Sequence, residues 1–306
     1  MARSTRKASS PGFRLAGLLL AFAVLGAAAF VLHTNTFHWF RSWTASEPFG
    51  GDTIRLTASA RFAGAITSLT WNGVEFIDSS DHGRELQSAL HLNGLGECYN
   101  PTEAGAASDW FGSSSKLLSI TAQGNTLESR ARMAFWVAPG KSSRSCPHPK
   151  NTTALSDHEL SKTITMSGNV ITHDVTFHVP RRYDSAIFEA LTAYLPDRFG
   201  TFWTYDPRSD ALVSLGDGPG EQALPVIIST TDRRFALGVF SPDLPRATRP
   251  RSGYGRWRFE NERVTKWNCV FRMTGVAPGP HAFRCYTIVG SLDDVRAAMK
   301  LLAQPR

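Results

Sequence analysis

The chain has 306 residues, 42% of them hydrophobic and 19% charged. Global disorder, collagen, coiled-coil and multi-span membrane classes are excluded by that composition, and the length allows two average domains or one large all-β unit. The formal charge is +7, but Arg3, Arg6, Lys7 and Arg14 crowd the N-terminus with no acid among them. The remaining body is nearly balanced and holds no basic run interleaved with aromatics, so no nucleic-acid partner is expected.

Residues 15–32 read LAGLLLAFAVLGAAAFVL, without a charge and with basic residues before them. As a helix rising about 1.5 Å per residue the run would be roughly 27 Å long, close to a bilayer's hydrocarbon core. The basic flank stays inside, which sends the rest of the chain outside. Residues 1–33 are therefore expected to be a signal anchor or a signal peptide. Ala27-Ala28-Ala29 resembles a cleavage site, while the continuation through Phe30, Val31 and Leu32 favours the uncleaved anchor. Residues 34–49, with Trp39, Phe40 and Trp43, are expected to be a stalk at the membrane interface. Residues 50–306 then form an extracytoplasmic domain, periplasmic or on the cell surface, with the membrane as a partner through the N-terminal helix.

The body reads as sheet. Ile54, Leu56, Ala58 and Ala60 alternate with polar residues, and so do Leu127, Ala131, Met133 and Phe135. Ile66–Trp71 meets Asn72-Gly73, a hairpin signal, and continues as Val74–Ile77. Ile164–Met166 and Val170–Val179 flank Ser167-Gly168-Asn169 as a second hairpin. Strands also fit Ile187–Leu195, Val226–Ser229, Phe235–Phe240, Tyr254–Phe259, Thr265–Arg272 and Phe283–Val289. Only the C-terminus is helical: Ser291 and Asp294 form a capping pattern ahead of an apolar stripe of Val295, Ala298, Met299 and Leu302. The fold class is all-β, a large antiparallel two-layer sandwich with an N-terminal membrane helix and a short C-terminal helix.

The four cysteines lack any C-x-x-C spacing. If Thr265–Arg272 and Phe283–Val289 form a hairpin, Cys269 and Cys285 sit opposite each other. Their Cα atoms would then be about 4.5–5.5 Å apart, within reach of a disulfide. The alternative is two buried thiols. Cys98–Cys146 is only the pair left over.

The densest polar stretch is residues 78–109, with four glycines that let it fold tightly. Ionisable groups at that density are costly when buried unless paired or used. Glu85, Glu97 and Glu103 are candidate catalytic carboxylates for a glycosidic bond. His82 beside Glu85 or Glu97 fits proton transfer at an anomeric hydroxyl and ring oxygen. Arg84, Gln87, Tyr99 and Asn100 are candidate substrate-binding residues, by guanidinium fork, amide and aromatic contact. Glu189 stands in an apolar strand, either on a wet face or in a cleft. Trp203 and Tyr205, in an aromatic-rich segment, are candidate platforms for a sugar ring, or else core. The histidines show no metal spacing, and no phosphate loop or dinucleotide fingerprint occurs, so no metal and no cofactor is expected.

The segment FAGAITSLTWNGVEFI, followed by DHGRELQSA and ECYNPTEAG, resembles the galactose-mutarotase-like, aldose-epimerase-like group. The resemblance covers most of residues 51–302. It implies a two-layer antiparallel sandwich with a saccharide cleft on a concave face. Aldose epimerases also carry a mid-chain Asn-His motif and a late catalytic Glu. Ile171-Thr172-His173-Asp174 does not match the first, and Glu260 and Glu262 lack the setting of the second, so no catalytic residue is carried over. The expected function is an extracytoplasmic carbohydrate-active protein, binding a saccharide or cell-envelope glycan and hydrolysing or epimerising it. The alternatives are a non-catalytic envelope scaffold or carbohydrate-binding module, and a small-molecule sensor or lyase-like module.

Overall fold

The computed structural model describes residues 39–218, 220–244 and 252–304. The chain separates into two units at residue 41, and every described strand lies in the second, Ser42–Arg306. The apolar run 15–32 lies outside the described residues. Among those residues no helix is long and apolar enough to cross a membrane.

In chain order the described strands are β1 (Ser42–Phe49), β2 (Asp52–Ser59), β3 (Ile66–Trp71), β4 (Val74–Glu75), β5 (Gln87–Leu92), β6 (Pro101–Thr102) and β7 (Lys116–Gln123). Then come β8 (Thr126–Phe135), β9 (Leu155–Ser167), β10 (Val170–Val179), β11 (Tyr183–Pro196), β12 (Thr201–Asp206) and β13 (Ala211–Leu215). The last are β14 (Gly220–Gln222), β15 (Val226–Ser229), β16 (Ala236–Phe240), β17 (Gly253–Phe259), β18 (Val264–Val276) and β19 (Gly279–Gly290), with one α-helix, α1 (Leu292–Leu302). β1–β4 form a four-stranded sheet. The others form a second sheet in the order β13-β12-β15-β16-β19-β10-β9-β8-β6-β5-β11-β18-β17-β14, with β7 also on β8.

That long sheet curls back on itself. β10 and β19 lie in one wing, β11 and β18 in the other, with four strands between the two pairs in the pairing order. Yet Phe177 of β10 meets Phe188 of β11 edge-on at 5.2 Å, and Phe271 of β18 stacks on Phe283 of β19 at 4.5 Å. The wings therefore face each other across one core. Period-two alternation supplies it: Ile171, Val175, Phe177 and Val179 of β10 are all buried.

Local signals are realised where chemistry fixes them. Asn72 and Gly73 both have positive φ, 48° and 70°, as a tight primed hairpin turn requires. Ser167 pairs with Val170 around a second short turn. At α1 the Ser291 hydroxyl accepts from the Asp294 N–H at 3.2 Å, and the Asp294 carboxylate accepts from the Ser291 N–H at 2.9 Å. Val295, Ala298 and Met299 then bury against Tyr205, Ile227 and Ile288.

Two expectations are corrected. Half of the expected stalk is sheet: β1 pairs with β2 from Ser42 to Phe49, and its Ala45 is fully buried. The cysteine hairpin does not form. β18 pairs with β11 and β17, and β19 with β10 and β16. The short link between them carries the chain from one wing to the other. Cys269 and Cys285 meet across the core instead, as free buried thiols with Sγ atoms 2.6 Å apart. Cysteines opposite by residue count face each other only if their strands pair. The disulfide present is Cys98–Cys146.

Candidate functional site

A cleft of about 110 Å³ opens beside β5, β11 and β18, away from the shared core. Alternation along β5 sends Gln87, Ala89 and His91 to the cleft, and Leu90 and Leu92 to the core. β11 contributes Glu189, Thr192 and Tyr194. A β-bulge at Ala190 lies between Glu189, which pairs with Val270, and Leu191, which pairs with Cys269. On β18, Lys266 lines the cleft while Trp267, Cys269 and Phe271 enter the core. Glu97, Asn100, Thr102 and Trp136 complete the walls.

Glu189 sits at the charged centre of the cleft and is only 7% exposed. Asn268 Nδ2 donates to its Oε1 at 3.0 Å. Lys266 Nζ lies 3.8 Å and His91 Nε2 3.9 Å from that same oxygen. All three contacts fall on Oε1. Burial by itself would raise the carboxyl's pKa, but Lys266, His91 and the Asn268 hydrogen bond outweigh it and hold the pKa below the usual value. Burial would likewise strip Lys266 of its proton, and Glu189 reverses this, so its pKa is raised. The rings of Tyr194 and Trp257 flank the ammonium at 5.8 and 5.6 Å. Burial lowers the pKa of His91 despite Glu189 beside it, which keeps the imidazole neutral at neutral pH. The cleft thus holds a fixed carboxylate, an ammonium and a neutral imidazole, between the aromatic walls Trp136 and Tyr194.

Glu97 is positioned by chemistry outside its own turn. The Ser143 hydroxyl donates to its Oε2, and the neighbouring Cys98 is bonded to Cys146. One disulfide therefore ties the Glu97 turn to the long loop that follows β8.

Of the residues expected from sequence, the cleft gathers Gln87, Glu97, Asn100 and Glu189. Two of these spend amide groups on the backbone. Gln87 Nε2 donates to His82 O at 3.3 Å and its Oε1 accepts from Ala104 N at 3.0 Å, while Asn100 Nδ2 donates to Leu90 O. The others lie elsewhere. His82 is buried, its Nδ1 2.8 Å from Ala104 O and its ring 4.5 Å from Phe62. Glu103 is buried and ion-paired with Lys162, Nζ to Oε1 2.5 Å, with Ser88 N donating to its Oε2 at 2.9 Å. Glu85 is fully buried and neither of its oxygens has a hydrogen-bond partner. Burial raises its pKa well above the usual value, so it is a neutral acid. Arg84 forms ion pairs with Asp81 at 2.9 Å and Glu262 at 2.8 Å, and its guanidinium packs over the Tyr194 ring at 5.7 Å. Tyr99 turns to a neighbouring hollow.

The aromatic platform is also corrected. Tyr205 is 1% exposed and donates to Asp210 at 3.2 Å beneath α1. Trp203 donates to Ser229 Oγ at 3.0 Å and carries Arg233 over its ring at 4.8 Å. A face covered by core or by a guanidinium offers a sugar no surface. Sequence reasoning passed over His91, Lys266, Asn268, Thr192 and Trp136. The available signal was three adjacent strands, each with one ionisable residue in an apolar run: ALHL, IFEALTAYL and VTKWNCV. Among the described residues no group of three His, Cys, Asp or Glu side chains is placed to hold a metal.

No protein-family model matches the chain, and no curated protein matches it. Solved structures resemble it in fold. A galactose mutarotase-like protein from Lactobacillus casei has a TM-score of 0.47 at 9% identity, over 81% of this chain and 100% of that one. A galactose mutarotase related enzyme from Lactobacillus acidophilus has a TM-score of 0.43 at 8% identity, over 82% and 98%. A heparan sulfate lyase HepC mutant from Pedobacter heparinus has a TM-score of 0.43 at 9% identity, over 92% and 42%. Likenesses of this size concern the chain trace and carry no activity.

Proposed function

We propose that the domain binds a saccharide in this cleft and performs acid–base chemistry at its anomeric carbon. The observation that carries the reading is the convergence of Lys266, His91 and Asn268 on one oxygen of the buried Glu189. Held ionised, the Glu189 carboxylate is present in its base form near neutral pH. Lys266 is the cation within the site that carries a proton, and Glu97 lies on the same cleft wall. Trp136 and Tyr194 offer aromatic faces for the C–H face of a sugar ring, with Thr192 and Asn100 beside them.

The reading places the domain outside the cytoplasm, tethered through residues 15–32. The Cys98–Cys146 disulfide supports an oxidising compartment, and the basic flank ahead of the apolar run supports the orientation.

The test is a panel of mono- and oligosaccharides, followed by release of reducing ends for hydrolysis and by anomer exchange in NMR for epimerisation. Glu189→Gln keeps the shape and the Asn268 neighbour but removes the base. Turnover is expected to fall by about 10²–10⁴-fold with sugar affinity little changed. Unchanged turnover in Glu189→Gln, in whichever reaction the panel reveals, would sink the assignment.

A further inference from the structure

Next to the cleft lies a second hollow of about 430 Å³, lined by Asn93, Leu95, Tyr99, Lys150, Arg181, Arg182 and Tyr183. Among the described residues its lining has three cations and no acid. Several arginines elsewhere face a carboxylate: Arg130 faces Glu159, Arg132 faces Asp157, Arg263 faces Asp197 and Arg284 faces Asp174. No such ion pair is formed by the cations of this hollow among the described residues. Arg181 is held only by neutral phenols, donating from Nε to the Tyr183 hydroxyl at 3.2 Å and from Nη2 to the Tyr99 hydroxyl. Those contacts fix the guanidinium without cancelling its charge. Among the described residues Arg182 and the Lys150 ammonium have no carboxylate partner. The Lys150 backbone is pinned, its N–H donating to Cys98 O at 2.9 Å. Three like charges gathered around one hollow repel one another, and a bound anion relieves that repulsion.

The hollow and the cleft share a wall. The short turn Gly96–Tyr99 sends Glu97 to the cleft and Tyr99 to the hollow. His91, near the end of β5, lines the cleft, and Asn93, in the turn that follows with φ 52°, lines the hollow. A linear ligand can reach both. The Tyr99 ring and the partly exposed Leu95 give the hollow an apolar patch beside its cations.

We propose that this hollow takes the carboxylate or sulfate of an acidic oligosaccharide whose neighbouring ring occupies the cleft. A planar guanidinium fork suits either oxyanion, and Lys150 adds a point charge. The saccharide part rests on the function proposed above; the anion part stands on the unpaired cations alone.

The experiment is calorimetric titration of the full chain with three tetrasaccharides of one backbone: a uronate form, a sulfated form and a carboxyl-reduced neutral form. Sodium sulfate is titrated separately. The wild type is expected to bind at least one acidic form more tightly than the neutral form, and less tightly as salt rises. Arg181→Gln with Arg182→Gln should weaken the acidic ligand by about tenfold or more, the size of one or two lost charge-assisted contacts. The neutral ligand should be unaffected. Because Arg181 also braces two tyrosines, Arg182→Gln and Lys150→Gln are measured singly; both side chains are exposed, and each should give a smaller loss in the same direction. Equal affinity for neutral and acidic forms, or unchanged acidic affinity in every variant, overturns the inference and leaves the cleft reading standing. Sulfate bound with no tetrasaccharide bound overturns the oligosaccharide assignment together with the proposed function.

Discussion

Glu189 and Glu85 are both carboxylic acids taken out of water, and they end in opposite states. Glu189 has an ammonium, an imidazole and an amide around one oxygen, and its pKa is lowered. Glu85 is driven first by burial, with Asp81 and Glu103 adding to it, so its pKa is raised well above the usual value. Burial acts in the same direction on both. The difference is which charges the fold assembles around each, and whether an opening reaches the group. Lys162–Glu103 makes the same point for pairs: it is sealed in the core, whereas Lys266–Glu189 lies at a cleft.

The largest expected effect separates those two pairs. Lys162→Met strands the Glu103 carboxylate in the core and should cost about 3–5 kcal/mol in denaturant unfolding. Adding Glu103→Leu should restore most of that loss. Lys266→Met should cost less, since Glu189 keeps the Asn268 hydrogen bond and lies at a cleft. The same change removes a cation from Glu189 and should raise its pKa, visible in carboxyl-carbon NMR titration. Equal losses from the two lysine changes would erase the distinction between sealed and open pairs.

A middle-sized effect tests the interior through pH. Burial first, and Lys162 second, push His173 down to about 3, against an ordinary value of 6.5. Below pH 6.5 the unfolded chain binds the extra proton and the folded chain does not, so stability falls as pH falls toward 3. Between pH 7 and pH 5 that amounts to about 2 kcal/mol. His158, lowered to about 4 by burial, acts in the same direction. His173→Asn should flatten the wild-type decline; an unchanged slope would mean that His173 is not buried neutral.

A further pH effect has the opposite sign. The folded Glu85 holds its proton above pH 4.5, where the unfolded side chain has lost it. Wild-type stability should therefore drift down as pH rises from about 4.5. Glu85→Gln removes the ionisation and should gain on the wild type between pH 5 and pH 8, in paired chemical melts. A variant that instead loses ground at pH 8 would show Glu85 to be ionised and paired.

Much of the fold was legible because its signals are local. Asn72-Gly73 demands a turn with positive φ, and Ser291 with Asp294 demands a helix start; both are met. Alternation told which residues face inward but not which wing a strand joins, so Cys269 and Cys285 were set opposite in a hairpin that does not exist. By composition the stretch 78–109 looks like one site. Strand alternation and the turn after β5 instead divide it: Gln87, Glu97 and Asn100 line the cleft, while His82, Glu85 and Glu103 turn inside. The rest of the cleft, Glu189, Tyr194 and Lys266, comes from β11, which neighbours β5 only through long-range pairing, and from β18 on the far side of β11. No sequence-local signal states that adjacency.

The surplus residue Ala190 has a use beyond the local kink. Glu189 pairs with Val270, Leu191 with Cys269 and Thr192 with Asn268, so removing Ala190 keeps every side chain on its present face. Such a deletion would leave the chemical groups of the cleft untouched and alter only how sharply the strand bends beneath them. It is a one-codon way to vary geometry at constant composition, and so to learn how much of any turnover depends on curvature.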